Sequence, residues 1–346
     1  MARPSALPLQ SHADELLYAA RKIMNLAPGV RSYARFASAL VPCLTGAGCI
    51  YQAVATAVDR RRYSPPGRLV KVDGVELHVH ATGQGGAPVV VLETGLGGMS
   101  SAWGWIQPEV AKFTGVVSYD RAGLGWSAPD GLPRTALNVA RRLRGLLHGV
   151  GIPGPYVLVG HSMGGLYLRV FADQYPGEVA GVVLIDAAHP DQHQRSPAIR
   201  RHMSSGFRML RSVPLLARLG YVRMTGFFSS WAVGLPEPHA AEAEAFLSSY
   251  AHLKTTRDES LAWDGICAEV RGTAGLGCKP LAVVSAGRDV LPGAPELQAE
   301  LAALSSRSIH LTVEGADHVT LVTRRQHAMV VVDAIRRVVQ AAAGGR

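Results

Sequence analysis

Between Tyr156 and Gly165 the chain passes, within ten residues, from a short β-branched run through a glycine-flanked serine into a helical pattern. Tyr156–Val159 reads as a strand, Gly160-His161-Ser162-Met163-Gly164 has the form G-x-S-x-G, and residues 166–174 are helix-like. A serine on so sharp a strand-to-helix turn takes a strained backbone. Small residues two before and two after it keep the crossing chains from colliding. The turn lifts the hydroxyl above the sheet edge and aims the free N–H groups and positive end of the helix at developing negative charge. Ser162 is therefore the candidate nucleophile, with a structural serine as the alternative.

Around this turn, residues 89–93 are a continuous apolar run of the kind that parallel strands, buried on both faces, require, 179–186 read as another buried strand, and 116–120, 280–286 and 309–313 are strand-type sequence. Helical patterns lie between them, including residues 135–147 and a final stretch at 326–342. This alternation predicts an α/β fold with a doubly wound, mostly parallel sheet. Ahead of it, residues 69–72 and 75–80 alternate about Asp73-Gly74, a hairpin signal. His78 and His80 share a strand face there. With no third ligand nearby they are expected to be surface residues rather than a metal pair. From His189 to Lys279 the alternation stops, and the sequence becomes helix-like with scattered Pro, Met, Trp and Phe. The core is thus expected at 63–188 and 280–346, with a helical insertion at 189–279. His189-x-Asp191-x-His193 within it has metal-like spacing, but Pro190 disturbs a helix and no remote ligand is evident, so no metal is expected.

The formal charge of +9 is unevenly placed. Residues 1–71 hold ten Lys and Arg against three Asp and Glu, whereas the rest hold 25 against 23. A basicity confined to the N-terminal segment points to an anionic membrane surface rather than nucleic acid. Within residues 1–62, positions 36–58 are 23 residues without a charge, followed by Asp59-Arg60-Arg61-Arg62. As a helix they would rise about 34 Å, enough for a hydrocarbon core of about 30 Å. The expectation is a membrane-associated protein held by this N-terminal helix. A cleaved signal ending near Ala55-Thr56-Ala57 and a soluble packing helix are the rival readings. Four cysteines in this length make no disulfide framework. A Cys267–Cys278 bridge and isolated buried thiols both stand as readings.

Four motifs together resemble the α/β-hydrolase superfamily: Gly160-His-Ser-Met-Gly-Gly165, Tyr119-Asp-Arg-Ala-Gly-Leu-Gly-Trp-Ser127, Ser285-Ala-Gly-Arg-Asp289 and Gly315-Ala-Asp-His318. The likeness covers about residues 68–340 and is weakest in the insertion, which it implies is a cap. It implies Ser162 as nucleophile, His318 as general base and Asp289 as the acid that holds the imidazole tautomer, in the chain order this fold uses. Asp186, after the strand that follows the nucleophile helix, is the alternative acid. The resemblance also implies two oxyanion-hole amides, those of Met163 and Leu96. Thr94-Gly95 stands where relatives often carry His-Gly, which removes a histidine side chain but leaves the backbone geometry. Glu93 ends a buried strand and needs a partner, for which Arg121 is the candidate.

The reading is a serine hydrolase that cleaves a carboxylic ester through an acyl-enzyme, without a cofactor. An aminopeptidase or amidase and an acyltransferase are alternatives on the same triad, and a non-catalytic receptor or binding protein is the alternative of another class. An aspartate at the turn would have implied epoxide or halide chemistry; serine argues against both. The insertion carries seven arginines from Arg195 to Arg223 and no acid between Gln192 and Pro236. Met203, Phe207, Leu210 and Leu216 are interleaved with them. That pattern predicts an apolar lid over a small-molecule, lipophilic ester, with a basic face suited to anionic lipid.

Overall fold

The computed structural model describes residues 28–84, 86 and 88–344, so the stretch 1–27 of the basic N-terminal segment lies outside the described residues. Among them are eight strands: β1 (Arg68–Val72), β2 (Val75–Thr82), β3 (Val89–Glu93), β4 (Val116–Tyr119), β5 (Tyr156–His161), β6 (Val179–Ile185), β7 (Leu281–Ala286) and β8 (Ser308–Val313). They form one sheet in the order β1-β2-β4-β3-β5-β6-β7-β8. Asp73 and Gly74 both have positive φ, 48° and 83°, the geometry of a two-residue turn matched to strand twist, and β1 and β2 pair antiparallel across it. β2 pairs antiparallel with β4, and every pairing from β4 onward is parallel.

The longer helices are α1 (Pro28–Arg62), α2 (Ala136–Gly149), α3 (Gly164–Gln174), α4 (Pro197–Arg218), α5 (His239–Leu247), α6 (Tyr250–Leu261), α7 (Trp263–Arg271), α8 (Ala294–Ala302) and α9 (Arg325–Ala343). Alternate strand residues serve different layers. Val91 and Leu158 pack with Leu143 and Leu146 of α2 and with Leu166 and Phe171 of α3. Val90, Leu92, Val157 and Val159 pack on the other side with Trp103, Ile106 and the α9 residues Val331 and Ile335. Both faces being covered is why these strands are apolar up to their C-terminal ends. The chain leaves β3 for β4 on one side and returns on the other as β5, so the strand order reverses at β3. The crevice beyond the C-terminal ends at such a switch is where open α/β sheets take ligands. The loops after β3 and β5 both open there, and Glu93 is level with Gly160 in the register.

Between β6 and β7 the chain is helical, from the short Gln192–Arg195 turn through α4, α5, α6 and α7. By its contacts the chain divides into two units, one ending at Tyr51 and one running from Gln52 to Arg346. Helix α1 includes a stretch, Leu40–Arg62, long and apolar enough to cross a membrane by length and composition, with mean hydropathy 1.4 and 6% burial. Its last turns belong to the second unit. Gln52 is buried there and its Nε2 donates to the Ser248 carbonyl at 3.0 Å, while Asp59 pairs with Arg223 at 2.6 Å. The Trp126 indole N–H donates to the Tyr63 carbonyl at 2.9 Å.

One expectation for β2 is corrected. His78 is wholly buried, not on the surface, because Asp120 at the end of β4 supplies a carboxylate 2.9 Å from its Nδ1 and the Pro66 carbonyl meets its Nε2. Burial alone would lower the His78 pKa, but the Asp120 bond and charge outweigh it and raise it. Asp120 also accepts from the Ser100 amide at 2.7 Å and the Trp126 amide at 3.1 Å, so the pair fastens two loops beside the switch point. Cys267 is buried in α7, its thiol pushed up to about 12 by burial, while Cys278 is exposed and both are free.

Candidate active site

Ser162 follows β5 with φ +55°, a left-handed conformation held from three directions. Its amide donates to the Ile185 carbonyl at 3.0 Å, and its carbonyl accepts from Gly165 at 3.1 Å and Ala188 at 3.0 Å. The flanking glycines are obligatory. A Cβ on Gly160 would lie 2.8 Å from the Gly165 nitrogen, and one on Gly164 would lie 2.5 Å from the Glu93 carbonyl oxygen. The sharp turn therefore exists only because these two positions carry no side chain.

His318 sits in the loop after β8, which Asp317 shapes by accepting from the Thr320 amide at 2.8 Å and the Val319 amide at 3.1 Å. His318 Nδ1 lies 2.6 Å from Asp186 Oδ2, while Asp186 Oδ1 accepts from the Ala286 amide at 3.1 Å. Burial would raise the Asp186 pKa, but the His318 hydrogen bond and charge and the Ala286 amide bring it below the usual carboxylate range. The acid expected at Asp289 is thereby corrected: Asp186 faces the imidazole and Asp289 does not. The Asp289 side chain is 77% exposed and 3.3 Å from Arg288. The cause is the turn after β7, where the Gly287 and Arg288 amides both donate to the Ala316 carbonyl and Arg288 bonds Asp317.

His161, inside the G-x-S-x-G motif, was given no role by the sequence. It is a brace. Its Nε2 donates to the His318 carbonyl at 2.9 Å, and the two rings stand 4.7 Å apart. Burial first, and the neighbouring His318 second, lower its pKa to about 3, so it is neutral at ordinary pH and keeps one N–H for this bond.

Ser162 and His318 line one cavity of about 990 Å³, together with Leu96, Met163 and the apolar side chains of Met203, Phe207, Leu210, Phe228 and Trp263 from the helical segment after β6. Among the described residues no hydrogen bond joins Ser162 Oγ to His318, a bond that in such sites often tightens only on ligand binding. The Leu96 and Met163 amides, among the described residues, donate to no protein acceptor, and both stand at the same cavity. The buried carboxylate of Glu93 has the partner expected, Arg121 Nη1 at 2.5 Å, and also accepts from the Tyr119 hydroxyl. A second carboxylate, Glu259 of α6, meets the same guanidinium at 2.7 Å from Nε and 3.0 Å from Nη2.

A family model described as the alpha/beta hydrolase fold matches residues 88–322. The uncharacterised YqjL protein of Bacillus subtilis is 32% identical over 121 residues, 35% of this chain and 47% of that protein. The 2-hydroxy-6-oxo-2,4-heptadienoate hydrolase of Pseudomonas putida is 28% identical over 216 residues, 58% of this chain and 78% of that protein. Across three of the curated relatives matched, the chain spans from 25% to 47% of the relative's length. Among solved structures, the Cif epoxide hydrolase from Acinetobacter nosocomialis superposes with a TM-score of 0.66 at 16% identity, covering 84% of this chain and 96% of that one.

Proposed function

This chain belongs to the α/β-hydrolase family, and from that premise we propose that it is a serine hydrolase that cleaves a lipophilic carboxylic ester through an acyl-enzyme. One observation carries the reading: Asp186 holds His318 Nδ1 at 2.6 Å in the cavity where the strained Ser162 turn opens. With the Nδ1 proton committed to Asp186, the neutral imidazole has its Nε2 lone pair free to act as a base. Ser162 Oγ attacks the ester carbonyl carbon while its proton passes to His318 Nε2. The oxygen that becomes negative accepts from the Leu96 and Met163 amides. Collapse breaks the bond to the alkoxide, which leaves with the proton from His318. Water then repeats the sequence on the acyl-enzyme and frees the acid. A carboxylate at position 162 would be needed to open an epoxide or displace a halide by the corresponding covalent route, so the fold neighbour's chemistry is not carried over.

The helical segment after β6 acts as a cap. Its Met203, Phe207, Leu210 and Phe228 wall the cavity with apolar surface, which favours a hydrocarbon acyl or alkyl group over a polar one. Helix α1, with the basic residues about it, holds the protein at an anionic membrane surface, where such esters concentrate; the hydropathy of its Leu40–Arg62 stretch supports this. A fluorophosphonate probe tests the chemistry. Ser162 is expected to be labelled stoichiometrically, and Ser162→Ala to lose both labelling and ester turnover while melting as the parent does. Labelling that survives the substitution would move the nucleophile elsewhere.

A further inference from the structure

We propose that Glu259 is a positioning residue of the oxyanion hole, so that cap helix α6 sets the direction of the Leu96 amide. The inference rests on the serine-hydrolase reading above and concerns the part of that site which comes from the cap. The Leu96 N–H shares a planar peptide unit with the Gly95 carbonyl, and in a trans peptide the two point in opposite directions. Whatever holds that carbonyl therefore aims the amide. Arg121 Nη2 donates to it at 2.7 Å. On the far side of Leu96, the Gly97 amide donates to Glu259 Oε2 at 3.0 Å, which fixes the next peptide unit. The unit after that is fixed by His252 Nε2, which donates to the Gly97 carbonyl at 2.7 Å. His252 Nδ1 accepts from the Gly125 amide at 3.1 Å, so the proton is on Nε2.

Three consecutive peptide planes around the donor are thus each gripped by a side chain, the first also by the Gly98 amide, which donates to the Gly95 carbonyl at 3.0 Å, and two of the three side chains stand on α6. Glu259 has a double part, because the same carboxylate grips Arg121 through Nε at 2.7 Å and Nη2 at 3.0 Å. Removing it frees the Gly97 amide and loosens the guanidinium that holds Gly95. The contact is close throughout. Gly97 has φ +61°, and a Cβ there would lie 2.5 Å from the Thr256 side chain of α6, so only glycine fits where the loop meets that helix. Glu259 is itself 1% exposed, 138 residues from Arg121 in sequence, and has no access to the reacting atoms. Its influence on the reaction runs through the loop.

The experiment uses the full chain in detergent with a soluble short-chain ester and its thiono counterpart, in which sulfur replaces the carbonyl oxygen. A well-formed oxyanion hole favours oxygen strongly, and general loosening of the fold does not alter that preference. Glu259→Gln is expected to lower kcat about 10- to 100-fold, a little less than outright loss of one donor, with KM within about twofold and a reduced oxo-to-thiono rate ratio. A variant that melts normally and keeps both kcat and the ratio overturns the inference. Should Glu259→Gln not fold, Glu259→Asp keeps the charge beside Arg121 and withdraws from Gly97, and the same two readouts decide. An inert parent that fluorophosphonate does not label brings down the ester reading and this inference together. An active parent with an indifferent variant brings down this inference alone.

Discussion

Asp186 and Asp289 follow neighbouring parallel strands, β6 and β7, and both have positive φ, 41° and 57°. What separates them is the surrounding hydrogen bonding. The Asp186 amide donates to Val284 at 2.7 Å and its Oδ1 accepts from Ala286, so its other oxygen can point only at His318. Asp186→Asn is expected to lower kcat by about 10⁴, as loss of the correct imidazole tautomer does in such triads, and Asp289→Asn to leave kcat within about twofold. Steady-state kinetics on the two variants decide between them; the reverse pattern would return the acid to Asp289. The sequence shows two aspartates after two apolar runs, and the choice turns on loop geometry that spacing does not encode. The Glu93–Arg121 pair was legible because a carboxylate ending a buried strand cannot remain unpaired. Glu259 was not, since a glutamate on a helix ordinarily faces solvent and nothing near it in the chain marks it as buried.

The strands were legible almost to the residue, because the inner parallel strands, covered on both faces, leave an apolar trace, the exposed edge strand β8 still shows β-branched residues, and the Asp73-Gly74 turn announces its hairpin. Helix α4 shows what periodicity can and cannot convey. Its Leu210, Val213 and Ala217 are buried, while Arg201, Arg208, Arg211 and Arg218 face outward. That division is readable from the pattern, whereas the cavity beneath it depends on how the helix is laid over the sheet. With Phe207 and Leu210 walling that cavity, each further methylene of a substrate should contribute up to about 0.8 kcal/mol, which is about fourfold in kcat/KM. Rates measured on esters from acetate to decanoate are expected to climb at up to that slope over the first several carbons. A maximum at acetate would exclude an apolar lid. In α1 the apolar run hid a change of role, since Gln52, within the uncharged stretch 36–58, is buried against the Ser248 carbonyl.

At the scale of the molecule, the boundary at Gln52 falls inside helix α1, so the last turns of that helix belong to the second unit. Full-length protein is expected in the membrane fraction, and deletion of residues 1–51 to release an active soluble form. Deletion of residues 1–62 should be worse. It strips Asp59 from the half-buried Arg223, at a cost of about 1–3 kcal/mol. For a domain of this size that is about 2–4 °C in Tm for each kcal/mol. Fractionation and thermal melts of the three forms check this, and a full-length protein that stays soluble without detergent rejects the anchor. The bonds that assemble the centre have a further consequence. Asp186 and His318 are 132 residues apart, and Gly97 lies 162 residues from Glu259. Closing such loops costs chain entropy before any contact rewards it, so local pieces form first and distant pairings afterwards. The β1–β2 hairpin and the single helices can precede the centre during folding, and the chain gains its reactive geometry only as the whole of the second unit comes together.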